Sequence, residues 1–243
     1  MHRLLSVLAA VVLAASLAAC GSAGDGAGST SSAASGTRPV THAMGTTEVP
    51  ADPQRVVVLD TGELDSVLAL GVTPVGATSP VAGGPLPTYL ADRTTGVTNL
   101  GTQSDLNLEA VAGLRPDLIL SNKVRHEELY PQLSAIAPTV LAERVGVAWR
   151  ENLRLAGQAL GREADAERIL ADYRAKAEET GAGFAPGTTI SMVRFTGGSV
   201  RLYGEGSFIG TILAEAGLAR PESQQVPGTF AEVSPEQIGA GRR

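Results

Sequence analysis

The sequence predicts an α/β fold in which two lobes with mostly parallel sheets are joined by a long α-helix. Three observations carry this expectation. From Arg55 onward, short apolar β-rich runs alternate with segments of helical spacing, the pattern of βαβ units. A second such series starts near Thr188 and echoes the first. Between the two series lie Trp149–Leu160 and Glu163–Thr180, both of helical character.

The chain begins with an address. Met1-His2-Arg3 is a short basic start, Leu4 to Ala19 is an almost unbroken apolar run, and Leu17-Ala18-Ala19-Cys20 closes it, so residues 1–20 read as a secretory signal. The run is shorter than the roughly 20 residues a bilayer-spanning helix needs, and small polar residues follow it, which disfavours a permanent span. Leu-Ala-Ala-Cys resembles a bacterial lipobox, and that resemblance implies cleavage before Cys20 and lipidation of its thiol. Acyl chains anchor because each buried methylene contributes roughly 0.8 kcal/mol. The plainer alternative is an incidental cysteine in an ordinary signal. Residues 21–38 are almost entirely Gly, Ala, Ser and Thr, too poor in apolar surface to offset the entropy of ordering, and read as a flexible tether. A globular body lipid-anchored on the extracytoplasmic face of the cell membrane is the expectation.

Composition narrows the possible partners. The formal net charge of -6 leaves no basic field to hold polyanions, so nucleic acid is excluded as an expected partner. The single cysteine excludes an internal disulfide framework and any multi-thiolate metal site.

In the first lobe, residues 39–148, Val56-Val57-Val58-Leu59 reads as a buried strand. Glu63 to Leu70 follows as a helix with Leu64, Val67 and Leu68 on its apolar face, and Gly71 stops it before a strand at Val72–Val75. Leu108–Leu114 forms a second short helix, Pro116-Asp117-Leu118-Ile119-Leu120 turns out of it into another strand, and Ile136–Leu141 adds one more. The linker, residues 149–181, contains the two helical stretches. In the second of these Ala166, Ile169, Leu170, Tyr173 and Ala177 share a face. An 18-residue helix spans about 27 Å, enough to bridge two small lobes. The second lobe, residues 182–243, has a β-rich alternation over Thr189–Phe195, a helix over Ser207–Ala216, and Gly217 closing it as Gly71 closed the first. Gly204-Glu205-Gly206-Ser207 reads as a turn before that helix. Asn107-Leu108-Glu109 and Ser234-Pro235-Glu236 each place a cap residue and then a glutamate in a helix's first turn. Both glutamates suit the helix dipole, and a docking role is the alternative.

In their order, signal, lipobox, tether, lobe, bridging helix and second lobe resemble the iron-siderophore substrate-binding lipoproteins of bacterial ABC importers. The residues that carry the resemblance are Gly62-Glu63-Leu64-Asp65 through Leu70-Gly71-Val72-Thr73-Pro74-Val75-Gly76, Leu100-Gly101-Thr102-Gln103, Asn107-Leu108-Glu109 and Arg115-Pro116-Asp117-Leu118-Ile119-Leu120. It continues through Lys123-Val124-Arg125-His126-Glu127, Ile136-Ala137-Pro138-Thr139, Trp149-Arg150-Glu151-Asn152, and Val193-Arg194-Phe195 with Tyr203-Gly204. The resemblance implies a monomeric, non-enzymatic protein with a ligand cleft between two α/β lobes, delivering a ferric siderophore to an ABC transporter permease. It also implies that Glu109 and Glu236 meet the permease.

Iron in such a complex is already wrapped by its chelator, so the protein supplies no resident cofactor and no iron ligands. It needs aromatic faces and hydrogen-bond donors, placed in loops that follow strands. The expected ligand contacts are Lys123, Arg125, Trp149, Arg194 and Tyr203. Their structural alternatives are solvated loop charges for Lys123 and Arg125, a carboxylate-paired strand residue for Arg194, and core packing for Trp149 and Tyr203. His126 reads as a surface histidine. With it, only His42 would remain in the exported part, too few for a protein-made site for bare zinc or manganese. No Gly-x-Ser-x-Gly elbow, phosphate-binding glycine loop or His-Glu-x-x-His supports an enzyme. Haem or corrinoid binding on the same fold, or a truncated product without transport activity, are the alternatives, and the residues favour neither hydroxamate nor catecholate chelates. After Ile238 only Gly239-Ala240-Gly241-Arg242-Arg243 remains where the family continues, so the second lobe is expected to be incomplete, with an unpaired sheet edge.

Overall fold

A computed structural model describes residues 36–197 and 199–234, so Cys20 and Glu236 lie outside the described residues. It opens with a hairpin of β1 (Thr37–His42) and β2 (Gly45–Pro50), paired antiparallel from Thr37↔Pro50 to His42↔Gly45. The tether expected through residue 38 therefore gives way to strand at Thr37. Arg38 explains this: its guanidinium donates to the carbonyls of Gln158, Ala159 and Ala51, fastening the hairpin to the body.

The central layer is a six-stranded sheet. Its elements are β3 (Val56–Val58), α1 (Thr61–Ala69), β4 (Gly76–Ser79), β5 (Thr98–Thr102), β6 (Asp105–Leu106), α2 (Leu108–Gly113), β7 (Leu118–Asn122), α3 (Lys123–His126), α4 (Tyr130–Ile136) and β8 (Thr139–Ala142). The strand order is β6-β5-β4-β3-β7-β8, and every neighbouring pair is parallel except β5 with β6. Alternate residues of β3 feed opposite layers. Val56 and Val58 join Leu64, Val67, Leu68, Leu153 and Leu170 on one face, while Val57 and Leu59 join Val111, Ile119 and Leu133 on the other. Burial on both faces is why these strands read as continuous apolar runs.

Two expected strands move. The one expected over Ile136–Leu141 begins only at Thr139 as β8, because Ile136 still belongs to α4. The strand placed at Val72–Val75 lies at Gly76–Ser79. Pro74 has no amide to give a ladder, and pairing begins only where Val75 donates to Val56 O at 2.8 Å. Gly71, at φ 82°, takes the left-handed turn that ends α1, and Gly217, at φ 66°, does the same in the last helix.

Helices α5 (Trp149–Leu160) and α6 (Glu163–Ala182) occupy the expected linker. They do not stand clear of the first sheet. Leu153, Ala156, Ala166 and Leu170 belong to the core beneath α1, and a Cβ at Gly157 would lie 2.9 Å from that of Ala166.

The last part comprises β9 (Val193–Thr196), β10 (Ser199–Tyr203), α7 (Phe208–Glu215) and β11 (Phe230–Val233). Here the expectation of mostly parallel strands is corrected, because β11-β10-β9 pair antiparallel throughout. Only two residues separate β9 from β10, and a parallel return needs a crossover of a dozen or more. Thr189 and Ala219 alone form a parallel bridge. The turn expected at Gly204–Ser207 is present, and Ser207 Oγ caps α7 by accepting from the Gly210 amide at 3.0 Å.

A cavity at the carboxyl ends of β3 and β7

The chain leaves β3 for β4 on one side, and β7 pairs on the other, so the crevice beyond their carboxyl ends is the switch point where open α/β sheets bind ligands. A cavity of about 500 Å³ lies there. Asp60, Thr61, Glu63, Asp65 and Ser66 line it from the start of α1, Arg125 from α3, Trp149 and Asn152 from α5, and Phe208 from α7.

Its floor is a buried polar network. Asp60 follows β3 and accepts five hydrogen bonds: from the Thr61 amide at 2.6 Å, the Thr61 hydroxyl at 3.2 Å, Gln103 Nε2 at 2.6 Å, Asn122 Nδ2 at 3.0 Å and Arg125 Nε at 3.3 Å. Asn122, at the end of β7, is fully buried and also caps α3 by accepting from the Arg125 amide at 3.1 Å. The same Asn122 amide nitrogen lies 3.4 Å from each oxygen of Glu63. Glu63 is 6% exposed, and burial, reinforced by the negative charge of Asp60, pushes its carboxyl up to about 7. Burial also raises Asp65, against the hydrogen bond donated by the Tyr89 hydroxyl at 3.0 Å.

The side walls are aromatic. Trp149 meets Tyr173 edge-on at 4.8 Å and Phe208 at 6.0 Å, and its indole N–H donates to Thr211 Oγ1 at 3.4 Å. The Arg150 guanidinium lies 4.4 Å from the Trp149 ring centroid and pairs with Glu215 of α7.

Of the expected contacts, Arg125 and Trp149 line this cavity together. Lys123, two residues before Arg125, pairs instead with Glu127 at 3.8 Å and Glu143 at 3.7 Å. Arg194 and Tyr203 meet each other on the antiparallel sheet, where Arg194 Nη1 donates to the Tyr203 hydroxyl at 3.2 Å. Glu109 is exposed in the first turn of α2, whose cap Asn107 accepts from the Ala110 amide at 2.9 Å.

His126 corrects the surface reading: it is 1% exposed. Its Nε2 lies 2.9 Å from the Gln103 carbonyl, which can only accept, so Nε2 carries the hydrogen and Nδ1 accepts from Ser121 Oγ at 2.7 Å. Burial lowers its pKa.

Sequence reasoning overlooked Asp60, Glu63, Asn122 and Phe208. For Asp60 and Asn122 a signal existed, since each is a polar residue at the end of an apolar β run and at the start of a helix.

Comparison with known proteins places the chain among relatives. The family model described as "Periplasmic binding protein" matches residues 56–242. The probable siderophore-binding lipoprotein YfiY of Bacillus subtilis is 43% identical over 211 residues, covering 86% of this chain and 65% of the relative. The achromobactin-binding periplasmic protein of Dickeya dadantii is 30% identical, covering 75% of this chain and 62% of that protein. The chain thus spans a little under two thirds of the length of both. Staphylococcus aureus SirA, in its crystal structure with staphyloferrin B, superposes with a TM-score of 0.75 at 35% identity, covering 84% of this chain and 73% of SirA.

Proposed function

Because this chain belongs to the periplasmic binding protein family, we propose that it captures a ferric siderophore outside the cytoplasmic membrane and delivers it to an ABC permease. One observation carries the reading: a cavity of about 500 Å³ at the switch point of the sheet, walled by Trp149 and Phe208 and holding the Arg125 guanidinium. A chelate presents a flat organic shell and anionic oxygens, which stack on aromatic faces and accept from guanidinium donors. The siderophores named for the relatives from Dickeya dadantii and Staphylococcus aureus support the ligand class.

On this reading the ferric siderophore is cargo, and Arg125 and Trp149 make the first contacts. Lys123, Arg194 and Tyr203 are assigned to contacts made as two lobes close about the α5–α6 linker, with residues 182–243 in the second lobe. Glu109 and Glu236 are assigned to permease docking, Cys20 to the lipid anchor, and the protein acts as a monomer.

Trp149 is the sole tryptophan, so its emission reports on one place. Titration with a panel of ferric siderophores is expected to give saturable quenching at submicromolar ligand, weakened about tenfold by Arg125→Ala, the loss of one charge-assisted contact. A cooperatively melting protein that responds to none of the panel refutes the reading.

A further inference from the structure

The charged groups lining the cavity are unbalanced: Asp60, Glu63 and Asp65 face a single guanidinium, that of Arg125, which is itself engaged by Asp60. Among the described residues no three His, Cys, Asp or Glu side chains gather as a metal site, so the carboxylates do not close on a bare cation. They belong to the wall that an organic ligand meets.

The two carboxylates of the floor differ in kind. Asp60 is engaged by five donors. Glu63 has both oxygens 3.4 Å from one side-chain amide nitrogen, that of Asn122, and otherwise only its own backbone amide, so it is engaged more weakly than Asp60. It is more than nine-tenths buried and lines the cavity. A charge there sits in a poorly solvated place and acts strongly on any charge brought beside it.

We propose that Glu63 is a specificity-determining residue of this cavity, its proton shifting the charge class of chelate preferred: loss of the proton turns the cavity away from an anionic ferric chelate and toward a cationic one. The proposal rests on the siderophore reading of the same cavity. Burial and the neighbouring Asp60 bring the titration of Glu63 to about 7, where small changes in acidity change its state.

Every group facing Glu63 has a defined part. Asp60 opposes its ionisation, while Glu63's own backbone amide, the Asn122 amide and Arg125 favour it. Asp65, on the same helix, is tied to the Tyr89 hydroxyl. His126, behind Gln103 and Ser121, is the other group whose charge changes in the acidic range; protonated, it too would favour an anionic ligand. The neutral chelate's case follows by subtraction: its affinity changes little with the state of Glu63.

The test follows Trp149 emission in the unsubstituted protein and in Glu63→Gln between about pH 5.5 and 8, where this titration falls. The probes are a triply negative ferric tris-catecholate and a ferric trihydroxamate bearing one protonated amine. In the unsubstituted protein the affinity for the tris-catecholate is expected to fall about fivefold or more as pH rises, and that for the cationic trihydroxamate to rise. In Glu63→Gln both trends are expected to flatten. Trends of the same sign for the two probes, or trends that survive Glu63→Gln and so belong to His126, overturn the proposal. If neither probe nor any other ferric siderophore quenches, the siderophore reading itself falls and this proposal with it. A melting curve establishes that Glu63→Gln folds; should it not, the opposite signs in the unsubstituted protein decide.

Discussion

Burial acts on Glu63 and His126 in opposite directions, because it penalises whichever form is charged: it raises the carboxyl to about 7 and lowers the imidazole. Their signatures in stability are therefore opposite. Between about pH 4.5, where an unfolded glutamate titrates, and about 7, the folded protein holds a proton on Glu63 that the unfolded chain releases, so this contribution is lost as pH rises. His126 works the other way, its unfolded form taking up a proton first as pH falls below about 6.5. Denaturant melts of the unsubstituted protein and Glu63→Gln should differ by about 2–3 kcal/mol across that window, with the variant losing less stability as pH rises. A pH-independent difference would remove Glu63 from the account. His126→Ala strands the Ser121 hydroxyl and the Gln103 carbonyl, and is expected to cost about 2–3 kcal/mol, read as a lower denaturation midpoint at unchanged slope.

At the scale of elements, the aromatic wall of the cavity depends on how closely α6 approaches α7. A Cβ at Gly181 would collide with the Ala216 carbonyl at the end of α7, the helix that carries Phe208 and Thr211 to the Trp149 indole. Gly181→Ala should therefore cost about 1–3 kcal/mol and shift the emission of Trp149, as overpacking moves α7 away. Gly113→Ala is the matched control. That glycine ends α2 with open space around its Cβ position, so the change should stabilise by a few tenths to about 1 kcal/mol and leave the emission unchanged. The antiparallel β9–β10 pair shows how a local signal can be outweighed in reading. Gly197-Gly198 between two β-rich runs is hairpin chemistry, yet the half-length echo of the first series favoured parallel strands.

At the scale of the whole molecule, the described residues form one well-buried six-stranded sheet, the β1–β2 hairpin and a three-stranded sheet with exposed features. Phe195 lies on β9, an edge of the three-stranded sheet among the described residues, and is 68% exposed, an apolar side chain on an edge strand. Phe195→Lys should reduce light scattering on concentration without lowering the melting temperature; unchanged association would place the sticky surface elsewhere. The proposed binding site is a property of the assembled fold too, since residues from α1, α3, α5 and α7 line a single cavity. A ferric siderophore at about a hundred times its dissociation constant should stabilise the folded state by about 2.7 kcal/mol.

The sequence by itself determined the buried strand at Val56, the helices from Glu63 and Leu108, the strand at Leu118, the two linker helices, the glycine stops at Gly71 and Gly217, and the family, because apolar periodicity, caps and turn residues act over a few positions along the chain. It did not mark β5, β6, α3 or α4. It also singled out Arg125 and Trp149, one from a loop after a strand and the other from a family segment. Only the tertiary structure decided that Arg125 faces Asp60, that Glu63 shares one amide with it, and that His126 is interior. Those contacts join residues 59 to 65 positions apart, or, for His126 and Gln103, 23 apart. The proton affinity of a carboxyl depends on which charges and how much water surround it in space, and neither is written in its neighbours along the chain.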